Sequence, residues 1–96
     1  MIRSFGDRNT EDIYHGRQSG QTRRIPQTIL PALLRKLDML DAAYDLKDLR
    51  VPPGNRLEEL KGDLKGYYSI RVNDQWRVVF KWDKHDADNV KLVDYH

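Results

Sequence analysis

The hydrophobic period of the chain changes once, near its middle. From Gln27 or Thr28 to about Ala43, the residues Leu30, Leu33, Leu34, Leu37, Leu40 and Tyr44 recur at three- and four-residue steps, with Arg35, Lys36, Asp38 and Asp41 on other faces. This spacing predicts a helix with one apolar stripe, whose natural use is core burial; a partner-binding groove is the alternative. Pro31 is tolerated only near a helix start, which places the beginning of the element to within a turn. Val51-Pro52-Pro53-Gly54-Asn55 cannot continue a helix and must turn. Beyond it the period is two. Arg56 to Leu60 is a candidate strand, Lys61-Gly62-Asp63 a turn, and Tyr67 to Val72 with Trp76 to Trp82 a hairpin. A polar turn from Asp83 to Asp88 then leads into a last strand, Asn89 to His96.

Upstream, Met1 to Phe5 reads as a short strand and Asp7 to Tyr14 as a short capped helix. Gly16 to Arg24 is a polar, basic, glycine-containing loop, and Asp45 to Leu49 can form one more helical turn. Strand, helices, then a run of antiparallel strands indicates a single α+β domain over residues 1–96, with helices on one face of the sheet.

The hairpin register follows from its faces. Tyr68, Ile70 and Val72 share one face of the first arm, and Trp76, Val78, Phe80 and Trp82 one face of the second. A two-residue turn would mix these faces. A three-residue loop, Asn73-Asp74-Gln75, pairs Val72 with Trp76, Ile70 with Val78 and Tyr68 with Phe80. The same register sets Arg71 opposite Arg77 on the non-core face, a like-charge pair that is unfavourable by up to roughly 1 kcal/mol. Either carboxylates neutralise the two cations or the site is arranged for an anion. Splaying of the pair into solvent is the plainer alternative.

Composition narrows the setting. With 96 residues, 39% hydrophobic and 33% charged, the chain has the make-up of a soluble globular protein with one modest core. It has no cysteine, which fits a reducing cytoplasm. No apolar run approaches a membrane span, and MIRSFGDRNT has no signal-peptide apolar region. A net charge of +2 is small for a nucleic-acid binder, so any phosphate-binding surface must come from uneven placement of the 17 Lys and Arg residues.

The chemistry gathers in the last quarter, where SIRVNDQWRVVFKW is followed by Val93-Asp94-Tyr95-His96. Acid–base groups beside paired cations are what phosphodiester cleavage needs. His96 is the best acid–base candidate because imidazole titrates near neutrality, and its own terminal carboxylate should favour the imidazolium form and an acid role. Asp94 can orient the imidazole or position a nucleotide. Tyr95 can stack on a base or donate a proton, or simply pack on the sheet edge. Lys61, Arg71 and Arg77 are candidate phosphate ligands, with ordinary surface charge as the alternative. Arg17, Arg23, Arg24, Arg35, Lys36, Arg50 and Arg56 form a candidate basic patch for RNA. Asp83, His85, Asp86 and Asp88 match no metal-ligand spacing, and no phosphate loop or nucleophile motif occurs, so neither metal nor cofactor is expected.

RLEELKGDLKGYYSIRVNDQWRVVF followed by VDYH resembles the HigB-type toxins of bacterial type II toxin–antitoxin modules, in the RelE superfamily (the plasmid maintenance killer protein family). MIRSF and RKLDMLDAA are similar too, so the resemblance spans essentially the whole chain. It implies a RelE-like fold, an antiparallel-rich sheet of about four to five strands with two to three helices on one face. It also implies a ribosome-dependent endoribonuclease that cuts mRNA in the decoding site. The implied partners are the ribosome, mRNA and a helix-turn-helix, HigA-like antitoxin from the same module, which would contact operator DNA itself. By position, the family's functional residues fall on Lys61, Arg77, Asp94, Tyr95 and His96. One departure stands out: some relatives have a catalytic histidine where this chain has Glu58, so Glu58 either supplies the proton-accepting role or the chemistry is shared differently. Two other readings remain: a non-catalytic ribosome- or RNA-binding module acting by occupancy, and a DNA-facing partner, which the lack of a recognition helix disfavours.

Overall fold

The computed structural model describes residues 1–17 and 25–94. Helix α1 (Arg8–Tyr14) begins as its sequence suggests, with Asp7 as N-cap accepting a 2.8 Å bond from the Thr10 amide. A 3-10 turn at Gln27–Ile29 runs directly into α2 (Leu30–Ala42), with Pro31 in its first turn. Further 3-10 turns follow at Leu46–Arg50 and Pro53–Asn55. The remaining chain forms one antiparallel sheet in sequence order: β1 (Glu58–Glu59), β2 (Tyr67–Arg71), β3 (Trp76–Asp83) and β4 (Asp86–Asp94).

Leu33, Leu37 and Leu40 of the helical stripe are fully buried, packed with Ile13 from α1 and with Ile70, Val78, Phe80, Val90 and Leu92 from one sheet face. The helices therefore lie on one face, as expected for this α+β order. Two members of the stripe differ: Leu34 is 38% and Tyr44 65% exposed, and the Tyr44 ring stacks on His85 instead of entering the core. Among the described residues no helix is long and apolar enough to cross a membrane.

The hairpin has the odd-length loop. Tyr68 pairs with Phe80, Ile70 with Val78 and Arg71 with Arg77. The Val72 amide donates to the Trp76 carbonyl, and the Asn73 side chain accepts from the Gln75 and Trp76 amides at 2.8 Å each. An Asx turn thus closes the loop.

Other elements depart from expectation. Met1 to Phe5 is not a named strand but makes two isolated parallel bridges to β4, Ile2 with Ala87 and Phe5 with Val90. The candidate strand over Arg56 to Leu60 shortens to two residues, because Arg56 is left-handed (φ 45°, ψ 56°) and breaks the extended run. The polar turn between Asp83 and Asp88 contracts to Lys84-His85, and the last strand begins at Asp86. Lys84 takes a positive φ (58°) of the kind that a two-residue hairpin turn demands, and a lysine does not signal it. Arg3 makes this acidic segment compatible with pairing by bridging Asp83, Asp86 and Asp88. The Asp88 carboxyl is accordingly held below its ordinary range, first by the Arg3 hydrogen bond.

Candidate active site

The sheet face turned away from the helices carries Glu58 on β1, Tyr67, Ser69 and Arg71 on β2, Arg77, Val79 and Lys81 on β3, and Lys91 and Val93 on β4. Period-two alternation makes this grouping inevitable once the register is set. Arg71, Arg77, Lys81 and Lys91 are the cations around Arg77 and Glu58 the anion, while the same register puts Asp83, Asp86 and Asp88 at the far end of the face, where Arg3 bridges them. Lys81 also sits over the Tyr67 ring at 5.0 Å.

Arg77 lies at the centre of the face. A splayed surface cation is the plain expectation for it, yet it is only 8% exposed. Its Nε donates to Ser69 Oγ at 2.8 Å, and Nη2 donates to the Arg56 carbonyl at 2.6 Å and the Ser69 carbonyl at 3.4 Å. Its Nη1 lies 3.9 Å from Glu58 Oε1, whose side chain is half exposed. A buried cation is tolerable only when its donors are satisfied, and Ser69, itself fully buried, exists for that purpose. Arg71, at the end of β2, is paired with Asp74 of the hairpin loop. Carboxylates thus answer both cations of the like-charge pair, Asp74 closely and Glu58 at a longer distance.

Arg56 is exposed on its side chain while its left-handed backbone turns its carbonyl to Arg77. The preceding residue, Asn55, is completely buried: its amide nitrogen donates to the Leu49 and Val51 carbonyls, and its oxygen accepts a 2.5 Å bond from Lys36 Nζ. Lys36 is therefore not a free member of a basic patch. Burial first, then Arg35 and Arg71, push its pKa down. Lys61 is exposed just after β1, at the start of a 3-10 turn over Gly62–Leu64.

The structure brings together Glu58, Arg56, Arg71 and Arg77. It does not bring Asp94 to them: the register pairs Asp94 with Trp76, so alternation puts it on the opposite face, where its Oδ2 accepts from the Gln75 side chain at 3.1 Å. Arg23, Arg24, Tyr95 and His96 lie outside the described residues. Glu58 and Glu59 point to opposite faces, as their adjacency requires. Residue-by-residue reading missed Ser69, Asn55 and the bond from Lys36. For Ser69 a signal existed, since a small hydroxyl alternates with Arg71 on the cationic face. For Asn55 none did: the Leu49 and Val51 carbonyls are near in sequence, but the Lys36 that meets its oxygen is nineteen residues away on α2. A groove of about 380 Å³ lined by Leu46, Lys47, Arg50, Leu57, Glu59 and Tyr68 lies on the other side of the β1–β2 edge; it includes Arg50 of the predicted basic patch and none of the predicted catalytic residues. Among the described residues no group of three or more His, Asp or Glu side chains is placed to hold a metal ion.

Comparison with known proteins agrees with this fold. A family model described as the RelE-like toxin of type II toxin–antitoxin system HigB matches residues 3–96. The chain is 47% identical over 95 residues to "Toxin HigB-1" of Vibrio cholerae, covering 99% of this chain and 94% of the relative. It is 30% identical over 96 residues to "Endoribonuclease HigB" of Proteus vulgaris, with full coverage of both. Among solved structures, a YafQ mutant from E. coli superimposes with a TM-score of 0.66 at 17% identity, covering 98% of this chain and 91% of that one. The YoeB-YefM complex from Staphylococcus aureus gives 0.61 at 19% identity, covering 100% and 98%. At these identities the structural matches speak for the fold alone.

Proposed function

The chain belongs to the HigB-like family, the RelE-like toxins of type II toxin–antitoxin systems, and from that premise we propose that it is a ribosome-dependent endoribonuclease that cleaves mRNA in the decoding site. The observation that carries this reading is the buried Arg77 guanidinium held beside the half-exposed Glu58 carboxylate, with Arg71 opposite it on the same sheet face. The name of the 30%-identical endoribonuclease relative supports it.

The proposed reaction uses the RNA's own 2′-hydroxyl. A base removes its proton, the 2′-oxygen attacks phosphorus, and the bond from phosphorus to the 5′-oxygen breaks, leaving a 2′,3′-cyclic phosphate. An acid returns a proton to the departing 5′-oxygen. Glu58 is assigned the base role, in place of the histidine some relatives carry there, and His96 the acid role. Each is worth about 10²–10⁴ in rate. Arg77, Arg71 and Lys61 supply preorganised charge to the crowded phosphate, a term of comparable or larger size. Arg56, Arg23 and Arg24 hold the RNA backbone, Tyr95 stacks on a base, and Asp94 orients the His96 imidazole. No metal enters this scheme.

The ribosome supplies the alignment that a few side chains on one sheet face cannot give a flexible strand. The proposed inhibitor is a helix-turn-helix, HigA-like antitoxin that contacts operator DNA, and the proposed compartment is the bacterial cytoplasm. Primer extension on an mRNA in a translating extract tests the reading, with wild type, His96→Ala and Glu58→Ala compared. Cuts inside codons that vanish with His96→Ala support it. Inhibited translation without cuts refutes cleavage and favours occupancy of the ribosome.

A further inference from the structure

The buried polar residues Asn55, Ser69 and Arg77 lie on one path from the main helix to the face of Arg77: Asn55 is joined through the backbone to Arg56, whose carbonyl accepts from Arg77, and Arg77 also donates to Ser69. It starts on α2, where Lys36 Nζ bonds the Asn55 side-chain oxygen at 2.5 Å. The Asn55 amide nitrogen then ties the Leu49 and Val51 carbonyls, closing the loop between the 3-10 turns on itself. The next residue, Arg56, stands in the left-handed region, where a non-glycine residue persists only if its surroundings over-determine it. Two bonds hold it there: its amide donates to the Pro53 carbonyl at 3.1 Å, and its carbonyl accepts from Arg77 at 2.6 Å. Leu57 and β1 follow at once, so the turn at Arg56 decides which face Glu58 occupies. Buried polar groups are retained only when fully satisfied, and this set is satisfied by residues far apart in sequence.

We propose that Asn55, seated by Lys36, is a positioning residue for the mRNA-cleaving face: it holds Arg56 in the left-handed conformation that orients Arg77 and brings Glu58 beside it. This rests on the endoribonuclease reading above, which assigns no role to Asn55 or Lys36. Neither side chain need touch RNA.

The test uses the full chain with Asn55→Ala and Lys36→Met, assayed for mRNA cleavage on programmed ribosomes and by ¹H–¹⁵N NMR of the Arg77 Nε–H. In the wild type that proton is hydrogen-bonded to buried Ser69 and should exchange slowly. Asn55→Ala lowers kcat about tenfold with KM within about twofold, because geometry and not uniform binding is lost, and the Nε–H loses its protection. Placing Asn55→Ala in an Arg56→Gly background costs less than about threefold, since glycine adopts the left-handed conformation without restraint; in an Arg56→Ala background the larger loss returns. An unchanged kcat with a protected Nε–H overturns the proposal, as does an equal loss in the glycine background. Lys36→Met, whose aliphatic stem still packs, gives the same two readouts should Asn55→Ala fail to fold. If wild-type protein cuts no mRNA, the endoribonuclease reading fails, and the Nε–H protection in the variants still decides whether Asn55 holds Arg77.

Discussion

Removal of a single oxygen atom, by Ser69→Ala, probes the centre of the site. Ser69 is fully buried, and its hydroxyl accepts the Nε–H of Arg77 at 2.8 Å. Alanine fills nearly the same space, so the change in apolar burial is small and the loss reports the hydrogen bond. A bond to a charged partner contributes about 1.5–3 kcal/mol, and the variant takes this acceptor away from a guanidinium that is largely shut off from water. A value of about 2 kcal/mol corresponds to a fall in Tm of roughly 8–16 °C for a domain of this size. Thermal and urea unfolding of Ser69→Ala, Arg77→Met and the double variant measure it. In the Arg77→Met background the donor is gone, so the further loss from Ser69→Ala should nearly vanish, giving a coupling of about 1–2 kcal/mol. A loss below about 0.5 kcal/mol in the single variant, or an equal loss in both backgrounds, would refute the claim that Ser69 is there to satisfy a buried guanidinium.

Further outcomes test other parts of the structure. Leu37→Ala, at a fully buried position of the helical stripe, should cost about 2–5 kcal/mol by urea denaturation; a cost under about 1 kcal/mol would mean that the core closes around the gap. Asp88 is held below its ordinary pKa of 3.8 by Arg3, so its contribution is present above that value and lost as pH falls through the depressed one. Asp88→Asn should therefore melt lower than wild type at pH 7, with the two curves converging below about pH 4; a pH-independent gap would contradict this. Glu58→Gln should slow mRNA cleavage by about 10²-fold or more while ribosome binding holds, and Glu58→His should recover much of that rate; an unimpaired Glu58→Gln protein would remove Glu58 from the base role. Arg71→Ala should flatten the salt dependence of RNA binding, by about 0.7 in the log–log slope for each phosphate that is no longer neutralised, and an unchanged slope would leave Arg71 as a partner of Asp74 alone.

What could be read from the chain alone was whatever depends on local period and on short-range turn chemistry. The leucine spacing marked α2 and its buried face, and Pro31 marked its start. The face-matching of Tyr68, Ile70 and Val72 with Phe80, Val78 and Trp76 required a three-residue loop, and with it the opposition of Arg71 and Arg77. A like-charge pair on the face away from the core was thus legible in the sequence itself.

The structure alone showed that Arg77 is buried rather than splayed, because that depends on a serine eight residues away on the neighbouring strand and on a carbonyl twenty-one residues upstream. It also cut β1 to two residues through a left-handed arginine, a conformation that no arginine announces. It put Asp94 on the face opposite Arg77, since alternation acts on a register that the Trp76–Asp94 pairing sets. Local sequence carries periodicity, because side-chain direction repeats along a single element. It does not carry the satisfaction of buried polar groups, because the partners that make such burial tolerable come together only when the elements pack.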